Sequence, residues 1–179
     1  MTTFIVLASH GVPPADFPHP ELSEFFRLHS QLESGHSGSQ LLTDAQVRYE
    51  RLESRMRNWP RNEKNDPFYA GTTSLAKELE AESGLPVIVG FNEYCAPSLD
   101  EALEQAVAKG ASRVVVITPM MTSGGGHSEH DIPECIGVAR AKNPNVEFVY
   151  AWPFDRSKVA SFLAAQVASF ISVKEKVQS

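Results

Sequence analysis

Two histidines and a glutamate stand where chemistry is possible: His10 in FIVLASHG, Glu93 in VIVGFNEYCAPSL, and His127 in RVVVITPMMTSGGGHSEHDIP. Each follows an apolar, β-branched run. Two imidazoles and a carboxylate gathered at one crevice make a sensible ligand set for a divalent transition metal, because imidazole suits cobalt, nickel, iron and zinc. Such a set is also open, with room for water or an incoming ligand. Taken singly, each residue says less. A lone histidine at a strand end is usually a structural or surface residue, and Glu93 alone is more often a cap or a solvated loop residue. Convergence from three separate loops is what raises the metal reading.

Rival chemistries have weaker support. Ser123, Gly124, Gly125 and Gly126 precede a helix and could cradle a phosphate on backbone N–H groups. The chain has no GxGxxG and no GxxxxGK[ST], so no nucleotide cofactor is expected. Cys95 and Cys135 lack CxxC spacing, and Cys135 falls inside a helical pattern; both read as structural. His19, His29 and His36 have no motif around them and read as solvent or helix-face residues. Arg48, Arg51 and Arg55 are spaced to share a helix face, with Arg57 and Arg61 close behind. Glu50 and Glu53 interleave, so a solvated face with local ion pairs is the plain reading. A carboxylate-binding patch is the functional one, since arginine grips carboxylates in bidentate fashion.

The elements that must position these groups follow from periodicity. Phe4–Ala8, Pro86–Phe91, Val114–Ile117 and Val146–Ala151 are short apolar runs of the kind that form buried parallel strands. Helical stripes lie between and after them. Leu99, Ala102, Leu103, Ala106 and Val107 form one behind the capping box Ser98–Glu101, and Ile132, Ile136 and Ala139 form another. Asp131 stands where an N-cap would, with Pro133 in the first turn. A last helix from about Ser157 carries Val159, Phe162, Leu163, Val167 and Phe170. Alternating strands and helices predict an open parallel sheet of about four strands flanked by helices, with ligands bound beyond the carboxyl ends of the strands.

The connection from the first strand to the second is the anomaly. Beyond the proline-rich Val12–Pro20 it holds helical patterns over Glu21–Glu33 and, behind a capping box at Thr43, to Trp59. Arg61–Gly71 reads as irregular. A third helix is expected over Thr72–Ser83, with Leu75 and Leu79 inward.

Composition sets outer limits. The 179 residues suit one domain, and 42% hydrophobic residues suffice for a core. No apolar run approaches the roughly 18–20 residues of a membrane span, and the N-terminus lacks the basic region of a signal peptide. No membrane association is expected, and the cytoplasm is the expected setting. The formal net charge of −6 argues against a nucleic-acid partner.

FIVLASHG, together with VIVGFNEYCAPSLDEALEQAVAKGASRVVVITPMMTSGGGHSEHDIPE, resembles the sirohydrochlorin chelatases of the CbiX/SirB type. The resemblance covers roughly Phe4–Gly11 and Thr72–Val149, and Gly126-His127 through Asp131-Ile132-Pro133 is its most specific part. It implies a class II chelatase-like fold, a flavodoxin-like half, to which this chain is expected to add a helical insertion after the first strand. It also implies an ATP-independent lyase that inserts Co2+, Fe2+ or Ni2+ into a tetrapyrrole, as in siroheme or cobalamin biosynthesis. Carried over by position, His10 and His127 would be the metal-binding and catalytic histidines, with Glu93 their acidic partner. A non-catalytic carrier of metal or tetrapyrrole with the same crevice is the alternative.

Three departures from the pattern follow. Val12 stands where the family usually has a serine. The segment 13–66 is an insertion within a single domain spanning 1–179, whereas the long members carry two such domains. A homodimer is therefore expected. Because the substrate is a polycarboxylate and the chain is acidic, the insertion is expected to wall or cover the crevice. Arg48, Arg51 and Arg55 would then face the substrate, with Ser123–Gly126 completing its binding site.

Overall fold

The computed structural model describes residues 1–34 and 39–177; His36, and the expected loop glycines Gly35 and Gly38, lie outside the described residues. The strands are β1 (Thr3–Ser9), β2 (Val87–Phe91), β3 (Arg113–Ile117) and β4 (Glu147–Tyr150). The helices are α1 (His19–Ser34), α2 (Ser39–Arg57), α3 (Pro67–Ser83), α4 (Leu99–Ala108), α5 (Ile132–Lys142) and α6 (Arg156–Val177), and a π turn at His127–Asp131 runs directly into α5. No helix among the described residues is long and apolar enough to cross a membrane.

The apolar runs form the sheet: β1 is buried along nearly its whole length, while β2, β3 and β4 are buried at only some positions. All strand pairs are parallel, in the order β2-β1-β3-β4. Alternate residues of β1 (Phe4, Val6 and Ala8) and of β3 (Val114 and Val116) share one face, where they meet Leu99, Ala102, Leu103 and Ala106 of α4 and Ile132, Ile136 and Ala139 of α5. The chain leaves β1 toward β2 on one side and returns past it to β3 on the other. The carboxyl ends of β1 and β3 therefore flank the topological switch point, where such sheets open a crevice.

The segment between β1 and α3 has a core of its own. Phe17, Phe25, Leu28, Ala45, Leu52 and Met56 are buried together, with Tyr94 packed against them from the loop after β2.

Local expectations differ from the structure in four places. First, α2 starts at Ser39, so Thr43 lies inside the helix and does not begin it. Second, α3 starts at Pro67: Asp66 caps it by accepting from the Tyr69 N–H, and the Asp-Pro pair within the stretch read as irregular is the helix signal. Third, Thr72 and Ala76 are the buried positions of α3, whereas Leu75 is 45% exposed. Fourth, Asp131 is helical and makes no capping bond, because the π turn has already started the helix at His127.

Candidate metal centre

The parallel register does most of the positioning. Ser9 pairs with Phe91, so His10 and the Asn92-Glu93 step leave the sheet side by side. On the other side Leu7 pairs with Ile117, after which the chain loops out and returns as the π turn that carries His127. The sheet thus brings together three residues from three distant stretches of the chain, His10 and Glu93 being 83 positions apart. His10 Nδ1 lies 3.4 Å from Glu93 Oε1, and His127 Nε2 lies 3.6 Å from the same oxygen. The two imidazoles meet edge to face, with ring centroids 4.6 Å apart. One ligand atom from each of the three residues falls within 4.8 Å of the others. Metal–ligand bonds of about 2.0–2.2 Å would set donor atoms roughly 3–3.5 Å apart. Small side-chain movements therefore suffice to hold an ion. The side chains are 42%, 31% and 27% exposed for His10, Glu93 and His127, which leaves the centre open to a large second ligand.

His127 is oriented from behind. Its Nδ1 lies 2.5 Å from Asp131 Oδ2, one helical turn along. A proton held on Nδ1 donates to that carboxylate and leaves the Nε2 lone pair turned toward Glu93, the arrangement that fixes tautomer and basicity in metal-binding histidines. Reading Asp131 as a cap missed this, although the i, i+4 spacing of HSEHD was available in the sequence.

The π turn is tied to the sheet as well. The Tyr150 hydroxyl donates to the Ser128 carbonyl at 2.9 Å, and burial, aided by the charge of Glu129, pushes its pKa up to about 12, so it remains a donor.

The other sequence candidates sort clearly. Ser123–Gly126 are exposed. Gly124, at φ 94°, gives its N–H to the Glu129 carboxylate at 2.7 Å, so part of the loop's anion-binding capacity is met from within the chain. His130 is exposed and stands outside the three-residue group. Burial pushes the Cys95 and Cys135 thiols up to about 11, and both stand outside the three-residue group. Arg48 pairs with Glu24 and Arg55 with Glu21, fastening α2 to α1, while Arg51 is exposed. Arg57 and Arg61 turn the other way, toward backbone carbonyls beside Glu93.

Fold and geometry together define an open parallel α/β domain with a candidate metal centre of two histidines and a carboxylate at its switch point. A family model described as CbiX matches residues 63–169, and the chain belongs to that family. Among curated relatives, the chain is 44% identical over 63 residues to a sirohydrochlorin cobaltochelatase of Priestia megaterium, a match spanning 35% of this chain and 20% of that one. It is 39% identical over 64 residues to a sirohydrochlorin cobaltochelatase of Methanothermobacter thermautotrophicus, spanning 36% of this chain and 44% of the relative. A sirohydrochlorin ferrochelatase of Priestia megaterium is 33% identical over 66 residues, spanning 37% and 24%. The matches thus span less than half the length of those relatives. Among solved structures, a cobalamin biosynthesis CbiX protein from Marinobacter aquaeolei VT8 aligns over 98% of this chain and 99% of its own, with a TM-score of 0.55 and 16% identity, which shows a shared fold.

Proposed function

We propose that this chain inserts a divalent metal, Co2+, Fe2+ or Ni2+, into sirohydrochlorin or a related tetrapyrrole without ATP. The observation that carries the reading is the convergence of His10, Glu93 and His127 within 4.8 Å at the switch point of the sheet. Family membership supports it, and relatives named as cobalto- and ferrochelatases supply the substrate class. Metal and tetrapyrrole are both substrates here.

The chemistry follows from the ligand set. A metal enters the macrocycle only as the pyrrole N–H protons leave. Neutral imidazoles can hold the ion and also accept protons near pH 7. His10 and His127 serve in those roles, and Glu93, between them, shares the metal or passes a proton on. Asp131 stabilises the charge on His127 when its ring becomes protonated. Arg48, Arg51 and Arg55 are the proposed partners of the substrate carboxylates. Their pairing with Glu21 and Glu24 does not bar this, because surface ion pairs exchange at little cost. The exposed Ser123–Gly126 loop is the proposed contact for a further substrate edge.

The same three residues would also serve a carrier that binds metal or tetrapyrrole and releases them unchanged. Purified chain, sirohydrochlorin and each metal, with no nucleotide present, separate the two. More than one macrocycle metallated per chain, above the uncatalysed rate, supports an enzyme. Stoichiometric binding without turnover contradicts it.

A further inference from the structure

Glu93 is carried on a loop, two residues past the end of β2, and that loop is fixed from both sides. From β1, the Ser9 carbonyl accepts from the Asn92 N–H at 2.9 Å. Next to His10, a Cβ at Gly11 would lie 1.7 Å from the Glu93 carbonyl oxygen, so position 11 has no room for any side chain.

From the insertion, Arg57 donates through Nη1 to the Cys95 carbonyl at 3.2 Å and through Nη2 to the Asn92 carbonyl at 3.5 Å. The Arg57 carbonyl in turn accepts from the Ala96 N–H at 3.0 Å. Arg61 reaches further. Its Nη1 donates to the Val12 carbonyl at 2.7 Å and pairs with Asp66, while its Nη2 donates to the Tyr94 and Met56 carbonyls. Between them lies Tyr94, at φ 56°, a conformation that side chains other than glycine rarely adopt. Its ring packs 6.1 Å and 6.2 Å from those of Phe25 and Phe26 in α1. Burial, with the neighbouring Glu93 charge, raises the Tyr94 pKa, so the hydroxyl stays neutral beside the carboxylate.

The Arg61 side chain is 4% exposed and that of Asp66 is 1% exposed. Burying an arginine is costly unless its nitrogens are partnered. Here Nη1 and Nη2 are partnered, by Asp66, the Met56 carbonyl, the backbone two residues after His10 and the backbone one residue after Glu93, while the buried Nε has no partner among the described residues. One guanidinium thus links the two ligand-bearing loops, and Arg57 braces one of them.

We infer that Arg57 and Arg61 are positioning residues through which the helical insertion fixes the separation of His10 and Glu93, and so sets the affinity of the centre for its metal. The inference rests on the metal reading above. It gives the insertion a role that does not depend on whether α2 touches the substrate.

Two readouts test it. The first is amide hydrogen exchange at Asn92–Cys95 in the metal-free chain. In Arg57→Ala, and in Arg61→Lys, which keeps the charge beside Asp66 but loses the fork, exchange should rise at least tenfold. The second is Co2+ titration: affinity should fall about tenfold, the scale seen when groups behind metal ligands are removed. In the insertion assay kcat should fall, with the KM for sirohydrochlorin unchanged. Leu28→Ala, a buried change in α1, is the control for stability alone; it should lower Tm and leave Co2+ affinity within twofold. Arg57→Lys replaces the alanine variant should that one not fold. Unchanged exchange together with Co2+ affinity within twofold in the folded variants overturns the inference. A wild-type chain that takes up no Co2+ overturns the metal reading instead, and the exchange result still decides whether the clamp exists.

Discussion

His127 presents its two nitrogens to different partners: Nδ1 faces Asp131 at 2.5 Å, and Nε2 faces Glu93 at 3.6 Å. Because Asp131 is half-exposed, its worth lies less in stability than in keeping one tautomer and one ring orientation. Asp131→Ala should therefore leave the circular dichroism spectrum native while weakening Co2+ binding about tenfold or more, read by titration of the metal's visible absorption. An affinity within twofold of wild type would remove Asp131 from the mechanism. The three proposed ligands were legible in the sequence because each follows a strand-like run, and in a parallel sheet such positions share an edge. Their supports were less legible. The five arginines from Arg48 to Arg61 look like one cluster, but helical spacing reports which residues share a face and not what lies opposite. Only folding reveals that Arg57 and Arg61 meet backbone carbonyls while Arg48 and Arg55 meet carboxylates of α1.

At the scale of elements, the strands were legible because short β-branched runs bounded by glycine and proline have few other readings. The π turn was not, since Asp131-Ile132-Pro133 carries the ordinary signature of a helix start; the extra turn follows from the Ile132 N–H reaching back to the His127 carbonyl. The face of α3 was misjudged for a similar reason. Its leucine spacing is helical, but the positions the fold buries are the smaller Thr72 and Ala76. For α2, the ion pairs to α1 and the proposed carboxylate role lead to different outcomes. Changing Arg48, Arg51 and Arg55 together to alanine should raise the KM for the polycarboxylate substrate several-fold at low ionic strength, with a smaller effect at high salt. Stability should fall by about 1 kcal/mol or less, as expected for exposed pairs. An unchanged KM at low salt would confine these arginines to holding α1 and α2 together.

The whole molecule leaves apolar surface unfilled. A parallel sheet is ordinarily covered on both faces. Here α4 and α5 cover one face and α3 packs against β2, but Val115 and Ile117 of β3 and Val149 of β4 are only partly buried. Nearby in the chain, Phe162, Leu163, Val167, Phe170 and Ile171 of α6 are 53–68% exposed, and Ala160, Leu163, Val167 and Phe170 repeat with the three-and-four spacing of a helix-pairing seam. A second copy of the chain is the proposed cover for both surfaces. Sedimentation at micromolar concentration should give twice the 19.7 kDa chain mass, and a clean 19.7 kDa species would contradict it. The central claim, that His10, Glu93 and His127 form a metal-inserting centre, is tested most directly by the rate of Co2+ insertion into sirohydrochlorin, without nucleotide, in wild type and in His127→Ala. The expected result is multiple turnovers for the wild type and none above background for a variant with a native circular dichroism spectrum. A natively folded His127→Ala chain that inserts Co2+ at close to the wild-type rate would contradict the account.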